Sequence, residues 1–374
     1  MKYYIIAGEA SGDLHGANLM RALQQQDPQA SIRFWGGDAM KAVGGTQVKH
    51  IKDLAYMGFI EVATHFRTIL GNIAFCKKDI ENYHPDAIIY IDYPGFNLKI
   101  AKFAHQRGYR NFHYISPQLW AWKKGRITSM RRDIDRLYCI LPFEKAFYER
   151  NNFPQALFVG HPLLDAVARF KASDTQHSAK PIIALLPGSR KQEVSKMLPE
   201  MLKVVPLHPE YQFVIAGMSL LGDDFYRNVI QNKSYEVEIW YDKTYELLTQ
   251  SHAALVCSGT ATLETALFNV PQVVCYKANP LSIAIARHFV GKRVKYISLV
   301  NLIADAPVVC ELIQNDFNIE TLDAEFRKAA DNLQPRQNIL SGYAALFAKL
   351  GNAGASERVA TDILKNICNL RSKV

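Results

Sequence analysis

The feature that most constrains the fold of this chain is a regular alternation of short apolar runs with amphipathic stretches. Helical periodicity lies between the runs, for example in Ala17–Leu23 and Leu98–Gln106. This alternation predicts a parallel sheet with helices on both faces. Strands buried on both faces are almost wholly apolar or β-branched, and the runs of this kind in the first half are Tyr3–Ala7, Ile32–Trp35, Ala87–Ile91, Asn111–Ile115 and Leu137–Ile140.

The second half repeats this alternation. At roughly 150 residues per domain, a chain of 374 residues predicts two domains. We place them at 1–165 and 166–344, because a polar stretch at 171–180 has the composition of a linker. Two Rossmann-like domains in tandem are expected to bind a ligand in a cleft at the carboxyl ends of their sheets. The predicted strands of the second half are Ile182–Leu186, Gln212–Ala216, Val237–Trp240, Ala253–Cys257 and Gln272–Tyr276.

Composition narrows the class of partner and the compartment. The net charge of +9 favours a nucleotide, a phosphorylated lipid, a membrane surface or nucleic acid, without choosing among them. No nucleic-acid-binding motif is present, so we expect no nucleic acid. The six cysteines form no C-x-x-C pair, which fits reduced thiols in the cytoplasm. No apolar stretch reaches the roughly 18 to 20 residues of a membrane span, and the N-terminal run is too short for a signal peptide. Any contact with a membrane is therefore expected to be peripheral.

The first candidate loop, Gly8–Asp13, directly follows a predicted strand. Its two glycines let the backbone approach a ligand or another segment closely. Glu9 stands at the end of the strand and is expected to face the cleft. The alternative is a tight turn in which Ser11 or Asp13 caps the next helix, and spacing alone leaves both interpretations open.

The second candidate is Asp92, at the carboxyl end of the buried run Ala87–Ile91. A carboxylate in this position can accept the proton of a hydroxyl nucleophile. Pro94 and Gly95 are typical of a rigid turn around it. The alternative is that Asp92 caps the following helix or binds the amides of the turn.

Two loops in the second half are candidates for binding phosphate. Gly188, Ser189 and Arg190 follow a predicted strand and offer backbone, hydroxyl and guanidinium donors. The other loop follows Ala253–Cys257 and opens a helix, whose positive end suits a pyrophosphate without a metal ion. Ordinary helix capping is the alternative at both loops. The residues of the second loop are Ser258, Gly259, Thr260, Ala261 and Thr262, with Glu264 inside the helix in a position to bind ribose hydroxyls.

An apolar stripe runs through residues 57–78 at helical spacing, with Arg67, Lys77 and Lys78 beside it. Such a stripe is most often a helix face that packs on the core. The alternative is a flap for lipid chains or for the bilayer interface, with its basic flanks near anionic headgroups. The residues that we assign to an acceptor and membrane surface are Ser11, Met57, Phe59, Phe66, Ile69, Leu70 and Ile73.

One triplet, Asp133-Ile134-Asp135, has the D-x-D pattern that metal-dependent glycosyltransferases use. Its surroundings are basic, so we interpret the two carboxylates as exposed polar groups on the surface and not as metal ligands. The histidines have no metal-ligand spacing. We predict neither a metal ion nor a cofactor.

Eight segments, in order across nearly the whole chain, resemble the lipid-A-disaccharide synthase family of glycosyltransferases (family 19). The resemblance implies a GT-B fold of two Rossmann-like domains that face a central cleft, with the C-terminal helix in 345–374 packing back on the first domain. The segments that carry the resemblance are Ala7–Asp13, Met57–Val62, Ile91–Asn97, Tyr114–Trp122, Leu141–Glu144, Leu186–Arg190, Ser258–Glu264 and Ser298–Ile303.

The resemblance also implies an activity. The enzyme would be an inverting, metal-independent transferase that joins UDP-2,3-diacylglucosamine to 2,3-diacylglucosamine 1-phosphate (lipid X). The products would be the β-1,6-linked disaccharide 1-phosphate and UDP. The family works at the inner face of the cytoplasmic membrane, and some relatives exchange C-terminal segments, which adds a homodimer to the expectations.

Family roles carry over to individual positions. Asp92 matches a carboxylate regarded as catalytically important, and Glu9 matches a second acidic residue of the cleft. Some members carry another Asp where this chain has Gly95, so the role of base rests on Asp92. The positions that match the nucleotide side are Arg190, Ser258–Glu264 and Asn301, and Glu311 lies in a stretch that also resembles it.

Three alternatives stay open at this stage. A UDP-N-acetylglucosamine 2-epimerase, or another transferase that uses a UDP-sugar, would have the same fold. A non-enzymatic nucleotide-binding or nucleic-acid-binding module would explain the positive charge. A dehydrogenase is disfavoured because the chain has no G-x-G-x-x-G motif.

Overall fold

The computed structural model describes residues 1–54, 66–120, 125–170, 179–230, 235–277 and 295–371. The chain forms two compact units: Met1–Ala166 with Asn352–Val374, and Val167–Gly351. The sequence placed the second boundary after residue 344. The helix that spans this position remains in the second unit, where Tyr343, Leu346 and Leu350 are buried.

The first unit contains a seven-stranded parallel sheet with the order β3-β2-β1-β4-β5-β6-β7. From β1 the strands are added toward one edge as far as β3, and from β4 they are added toward the other edge. The strand order therefore reverses between β1 and β4. Doubly wound sheets bind their ligands at such a reversal. The strands are β1 (Lys2–Ala7), β2 (Ser31–Gly36), β3 (Thr46–His50), β4 (Ala87–Ile91), β5 (Asn111–Tyr114), β6 (Arg136–Cys139) and β7 (Ala156–Phe158).

The helices of the first unit cover both faces of this sheet with separate apolar clusters. They are α1 (Ala10–Gln26), α2 (Asp38–Val43), α3 (Phe66–Tyr83), α4 (Pro94–Gln106), α5 (Arg126–Asp133), α6 (Pro142–Arg150) and the C-terminal α15 (Ala355–Arg371), with a 3-10 turn at Ile51–Asp53. The boundary between the units lies within α7 (Pro162–Arg169). No helix among the described residues is long and apolar enough to cross a membrane.

The C-terminal helix α15 returns to the first unit, as the family resemblance predicted. Val359, Ala360 and Ile363 are fully buried in the cluster that also contains residues of α1. The Asp165 carboxylate accepts hydrogen bonds from the amides of Gly354, at 2.5 Å, and of Ser356, at 3.0 Å. A carboxylate at a helix start binds the free amides and stabilises the helix dipole, so Asp165 fixes where α15 begins.

The second unit has a six-stranded parallel sheet with the order β10-β9-β8-β11-β12-β13. Its strands are β8 (Ile182–Leu186), β9 (Gln212–Gly217), β10 (Val237–Tyr241), β11 (Ser251–Cys257), β12 (Gln272–Tyr276) and β13 (Cys310–Ile313). Its helices are α8 (Lys191–Met201), α9 (Asp223–Ile230), α10 (Thr244–Gln250), α11 (Thr260–Leu267), α12 (Leu299–Ala304), α13 (Ile319–Ala330) and α14 (Leu333–Leu350), with 3-10 turns at Leu202–Leu207, Ser219–Leu221 and Gln314–Asp316.

The ten predicted strands are all present, three of them with the predicted ends and the others with ends that differ by at most two residues. Three strands were not predicted. β3 is partly exposed and mixes polar with apolar residues, β7 has three residues, and β13 has four residues of which one is buried. Each is an edge strand of its sheet, so none carries the continuous apolar run of a strand buried on both faces.

Candidate functional site

The loops that carry Glu9 and Asp92 follow neighbouring strands. Ala7 at the end of β1 pairs with Ile91 at the end of β4. Glu9 is the N-cap residue of α1, and its side chain makes no capping hydrogen bond to that helix. The structure therefore brings together two carboxylates that are 83 positions apart in the sequence (92 minus 9).

The backbone around Asp92 is held in an unusual conformation. Asp92 and Tyr93 both have positive φ, at 45° and 49°. The Asp92 amide donates to the carbonyl of Tyr114 at 3.0 Å, and its own carbonyl accepts from Nδ2 of Asn97 at 2.7 Å. The N-cap position of α4 is occupied by Tyr93, without a side-chain cap. Asp92 therefore does not occupy the cap of that helix. Its carboxylate does accept from the amide of Tyr93, so the other part of that alternative, binding to a turn amide, is present.

The chemistry of Asp92 follows from its surroundings. Burial, and next the negative charge of Glu9, raise the pKa of Asp92 to about 6, while the amide of Tyr93 acts in the opposite direction. A general base is most effective when its pKa lies near the working pH, because it is then both ionised and basic. Asp92 thus has the properties of a proton acceptor.

Ser11 and Asp13 lie on the first turns of α1 with different surroundings. Ser11 is exposed. The buried Asp13 carboxylate accepts from the amides of Gly37 at 2.6 Å and Met40 at 3.0 Å. It therefore caps α2, and not α1 in which it lies.

In the second unit, the two predicted phosphate loops are also neighbours, since Leu186 at the end of β8 pairs with Val256 near the end of β11. Gly188 has φ +111°, and a Cβ there would lie 2.7 Å from the Glu193 carboxylate. That carboxylate accepts from the amide of Ser189 at 3.2 Å. Arg190 is the N-cap residue of α8, and its largely exposed guanidinium lies 3.6 Å from Glu193.

The second phosphate loop opens α11. Gly259 and Thr260 are exposed, Ala261 is half-buried, and the helix has no side-chain cap. The buried Thr262 donates its hydroxyl to the carbonyl of Gly259 at 2.8 Å, within the first turn. The Ser258 hydroxyl donates to the carbonyl of Ile297 at 2.8 Å. The helix start is thus uncapped by side chains, as an anion site requires.

Glu264 has a partner that the sequence did not indicate. The Tyr245 hydroxyl on α10 donates to Oε1 of Glu264 at 2.9 Å, and burial raises the pKa of Glu264. The Tyr245 ring lies edge-on to Phe170 and packs against Phe268. A single tyrosine outside any motif gives no signal in the sequence, so this contact was not predictable.

Asn301 and Glu311, both assigned to the nucleotide side, are engaged in hydrogen bonds within the second unit. Glu311 accepts from the amides of Ile297 and Ser298, from the Ser298 hydroxyl and, at 2.9 Å, from Nδ2 of Asn301. Asn301 also exchanges hydrogen bonds with the backbone of Val309. The network holds the segment whose Ile297 carbonyl accepts from Ser258, so both residues position the start of α11.

The apolar stripe on α3 divides between core and surface. Ile73 is buried, and Ile69 packs against the same cluster. Leu70 and Phe75 are exposed to 46% and 49%, so they place large apolar side chains on the surface of this helix. Met57 and Phe59 lie outside the described residues, and so does the side chain of Phe66.

The D-x-D triplet does not lie on the surface as a whole, which corrects the interpretation of both carboxylates as exposed. Asp133 is buried and accepts both hydrogen bonds of the Arg132 guanidinium, and Asp135 accepts from Arg110 and from the amide of Asn111. Asp133 is the last residue of α5, and Asp135 binds the start of β5 through the amide of Asn111. Both carboxylates therefore have a structural task at the junction of α5 and β5. In the described part of the chain, no group of three or more His, Cys, Asp or Glu residues could hold a metal ion.

Comparison with protein families gives a match over almost the whole chain. Residues 3–361 match the family described as Lipid-A-disaccharide synthetase. The lipid-A-disaccharide synthase of Geobacter metallireducens is 37% identical over 371 residues, which cover 96% of each chain. The synthase of Syntrophus aciditrophicus is 40% identical over 95% of each chain, and that of Coxiella burnetii is 34% identical over 95% of this chain and 96% of its own.

Solved structures share the fold at low sequence identity. A UDP-N-acetylglucosamine 2-epimerase from Neisseria meningitidis, bound to UDP-GlcNAc, has a TM-score of 0.67 at 12% identity and covers 98% of this chain and 100% of its own. A calicheamicin glycosyltransferase has a TM-score of 0.61 at 13% identity, with 98% of each chain covered. These likenesses confirm the GT-B fold predicted from the sequence.

Proposed function

The chain belongs to the lipid-A-disaccharide synthetase family of glycosyltransferases that act in lipid A biosynthesis, and from this premise we propose its substrates and mechanism. The donor is UDP-2,3-diacylglucosamine and the acceptor is lipid X. The products are the β-1,6-linked disaccharide 1-phosphate and UDP, with inversion at the anomeric carbon and without a metal ion.

The observation that carries the mechanism is the half-buried carboxylate pair of the first unit, Glu9 and Asp92. The 6-hydroxyl of lipid X attacks the anomeric carbon of the donor and gives its proton to Asp92. The raised pKa of Asp92 supports this role, since a carboxylate with a pKa of about 6 is ionised at neutral pH and more basic than an ordinary aspartate. Glu9 contributes the charge that helps to raise that pKa.

The second unit holds the leaving group. As the glycosidic bond to the diphosphate breaks, negative charge develops on UDP. The amides at the start of α11 and the Arg190 guanidinium stabilise that charge, and oriented dipoles of this kind need no reorganisation during the reaction. Gly188 and Ser189 complete the phosphate loop, and Glu264 binds ribose hydroxyls through the oxygen that does not accept from Tyr245.

Both substrates carry acyl chains, which gives the apolar surface of α3 a purpose. Leu70 and Phe75 are exposed beside the basic residues Arg67 and Lys78. An exposed apolar face with basic flanks is suited to the boundary between headgroups and acyl chains. We place the enzyme in the cytoplasm, peripherally bound to the inner membrane. Met57, Phe59 and Phe66 are assigned to the same function from the sequence alone.

The proposed reaction is tested by incubating the full chain with UDP-diacylglucosamine and lipid X in the presence of a chelator. The expected result is equal release of disaccharide 1-phosphate and UDP. Loss of turnover with the chelator, restored by added Mg²⁺, would contradict metal independence. The same enzyme is incubated with UDP-N-acetylglucosamine alone, and turnover of this non-acylated sugar nucleotide would favour an epimerase.

A further inference from the structure

We propose that Tyr93 is a positioning residue whose ring fixes the Glu9 loop against the Asp92 loop. The inference deepens the function proposed above, since it assigns a task to a residue beside the proposed base. Its main tests need no turnover, so they remain valid if Asp92 proves not to be the base.

The first support is the contact between Tyr93 and Gly8, which precedes Glu9. A Cβ built on Gly8 would lie 2.4 Å from two atoms of the Tyr93 ring and 2.8 Å from a third. Real Cβ atoms essentially never approach a neighbour within 3.0 Å. The ring therefore occupies the space that a side chain at position 8 would need, and the Glu9 loop rests directly on it.

The second support is the backbone that presents the ring. Tyr93 has φ 49° and ψ 51° and follows Asp92, which also has a positive φ. Non-glycine residues enter this left-handed region at a cost and remain there only where the surroundings hold them. Both residues are held here by hydrogen bonds. The Asp92 amide donates to the Tyr114 carbonyl at 3.0 Å, and the amides of Phe96 and Asn97 donate to the Tyr93 carbonyl at 3.2 and 3.0 Å.

The third support is the packing of the Tyr93 ring on buried aromatic residues. Tyr93 is stacked on Phe96, with 5.6 Å between ring centroids and 23° between planes. Phe96 is buried and packs against Trp35, at 5.3 Å between centroids. The Tyr93 ring thus joins the Glu9 loop to the hydrophobic core.

The position of the Tyr93 ring has a consequence for the electrostatic effect of Glu9 on Asp92. In the described part of the chain, Glu9 is the charged side chain that acts on Asp92. Burial, and next the charge of Glu9, also raise the pKa of Tyr93. Coulomb energy varies inversely with distance. If the ring sets the spacing of the two loops, its removal weakens the influence of Glu9 on Asp92.

The decisive experiment measures that influence directly. The pKa of Asp92 is followed by carboxyl ¹³C NMR in the full chain, with Asp92→Asn used for assignment, before and after Glu9→Gln. We expect Glu9→Gln to lower the pKa of Asp92 in the parent and in Tyr93→Phe, which keeps the ring. In Tyr93→Ala the same change is expected to have much less effect.

An equal effect of Glu9→Gln in all three backgrounds would overturn the proposal, because Tyr93 would then be filling space only. This difference of differences cancels the shift in the pKa of Asp92 that Tyr93→Ala causes by itself. If Tyr93→Ala does not fold, Tyr93→Leu, which keeps apolar volume without a planar ring, takes its place with the same expected loss of coupling.

A complementary experiment uses Gly8. Gly8→Ala must displace the Tyr93 ring, so it is expected to lower Tm clearly in the parent and much less in Tyr93→Ala, where the space is open. Gly71→Ala on α3 is the matched control, since a Cβ there meets nothing within 4 Å. An equal loss of Tm from Gly8→Ala in both backgrounds would contradict the contact on which the proposal rests.

Discussion

The loops at the carboxyl ends of the two sheets are built on opposite principles. In the first unit, the β1 and β4 loops hold two carboxylates, a raised pKa and left-handed backbone at Asp92 and Tyr93. In the second unit, the β8 and β11 loops open ordinary helices, and their donors, among them Arg190 and Thr260, are exposed. Burial makes a carboxylate basic, whereas an anion site needs amides and a guanidinium that a ligand can reach. Each loop pair has the surroundings that its proposed task requires.

The most direct test of this comparison is the removal of the proposed base, Asp92. We expect Asp92→Asn to lower kcat by about 100- to 10,000-fold, the usual contribution of a general base, while UDP binding stays unchanged. Asp38→Asn is the control, because Asp38 is an exposed acid on α2 of the same unit. Steady-state kinetics checks the prediction, and near-normal turnover of Asp92→Asn would show that Asp92 is not the general base.

Asp92→Asn also has a predicted effect on stability. The pKa of Asp92 is raised from 3.8 to about 6 on folding, so its protonated form is favoured in the folded state. The associated stability is present below the ordinary pKa and is lost as the pH rises through about 6. Asp92→Asn should therefore raise Tm at about pH 8 and change it less at about pH 4, and the opposite trend would contradict the burial of this carboxyl group.

In the second unit, the corresponding change is Arg190→Ala. A hydrogen bond to a charged group contributes about 1.5–3 kcal/mol, so the Kd of UDP should rise roughly 10- to 100-fold. Calorimetric titration with UDP measures this, and Arg227→Ala is the control, since Arg227 is another exposed arginine of the unit, paired with Asp223. Unchanged affinity for UDP would show that the β8 loop does not bind the diphosphate.

A smaller effect is expected from loss of the hydrogen bond between Tyr245 and the Glu264 carboxylate. Tyr245→Phe removes the hydrogen bond to Glu264 and leaves the ring packed between Phe170 and Phe268. The loss of one hydrogen bond of about 0.5–1.5 kcal/mol should raise KM for the donor roughly 2- to 10-fold, with kcat little changed. A fall in kcat with unchanged KM would argue against a ribose contact through Glu264.

Glu9→Gln tests the carboxylate pair of the first unit through the pH dependence of kcat/KM. The charge of Glu9 raises the pKa of Asp92, so its removal lowers that pKa. The acidic limb of the pH profile of kcat/KM, which lies near pH 6 if Asp92 is the base, should move to lower pH. A limb that stays in place or moves upward would show that Glu9 does not act on the base.

The smallest expected effect concerns the surface of the first unit. Leu70→Ser should lower binding to vesicles of anionic phospholipid by a few-fold and leave Tm almost unchanged, because Leu70 is exposed. Ile73→Ser, on the buried face of the same helix, should lower Tm and serves as the contrast. A loss of Tm from Leu70→Ser without loss of vesicle binding would assign α3 to the core alone.

Much of the fold was readable before the structure because the chemistry is local. Strands buried on both faces must be continuously apolar, so β4 and β8 were predicted with their observed ends. The short edge strands β7 and β13 lack that signal, since an edge strand needs neither length nor full burial. The loops after the central strands were predictable for the same reason, because glycine and polar residues interrupt the apolar pattern where a strand ends.

By itself, the sequence determined the two α/β domains, the loops that follow their central strands and the family, because these depend on residue type and spacing. Only the tertiary structure decided which distant residues meet. The order β2-β1-β4 places Glu9 beside Asp92, and the Tyr93 ring occupies the space above Gly8. Asn301 and Glu311, which the family pattern assigned to the nucleotide, bind each other and the backbone. Such contacts depend on which segments the fold brings together, and their free energies depend on distance and burial, which a linear pattern does not contain.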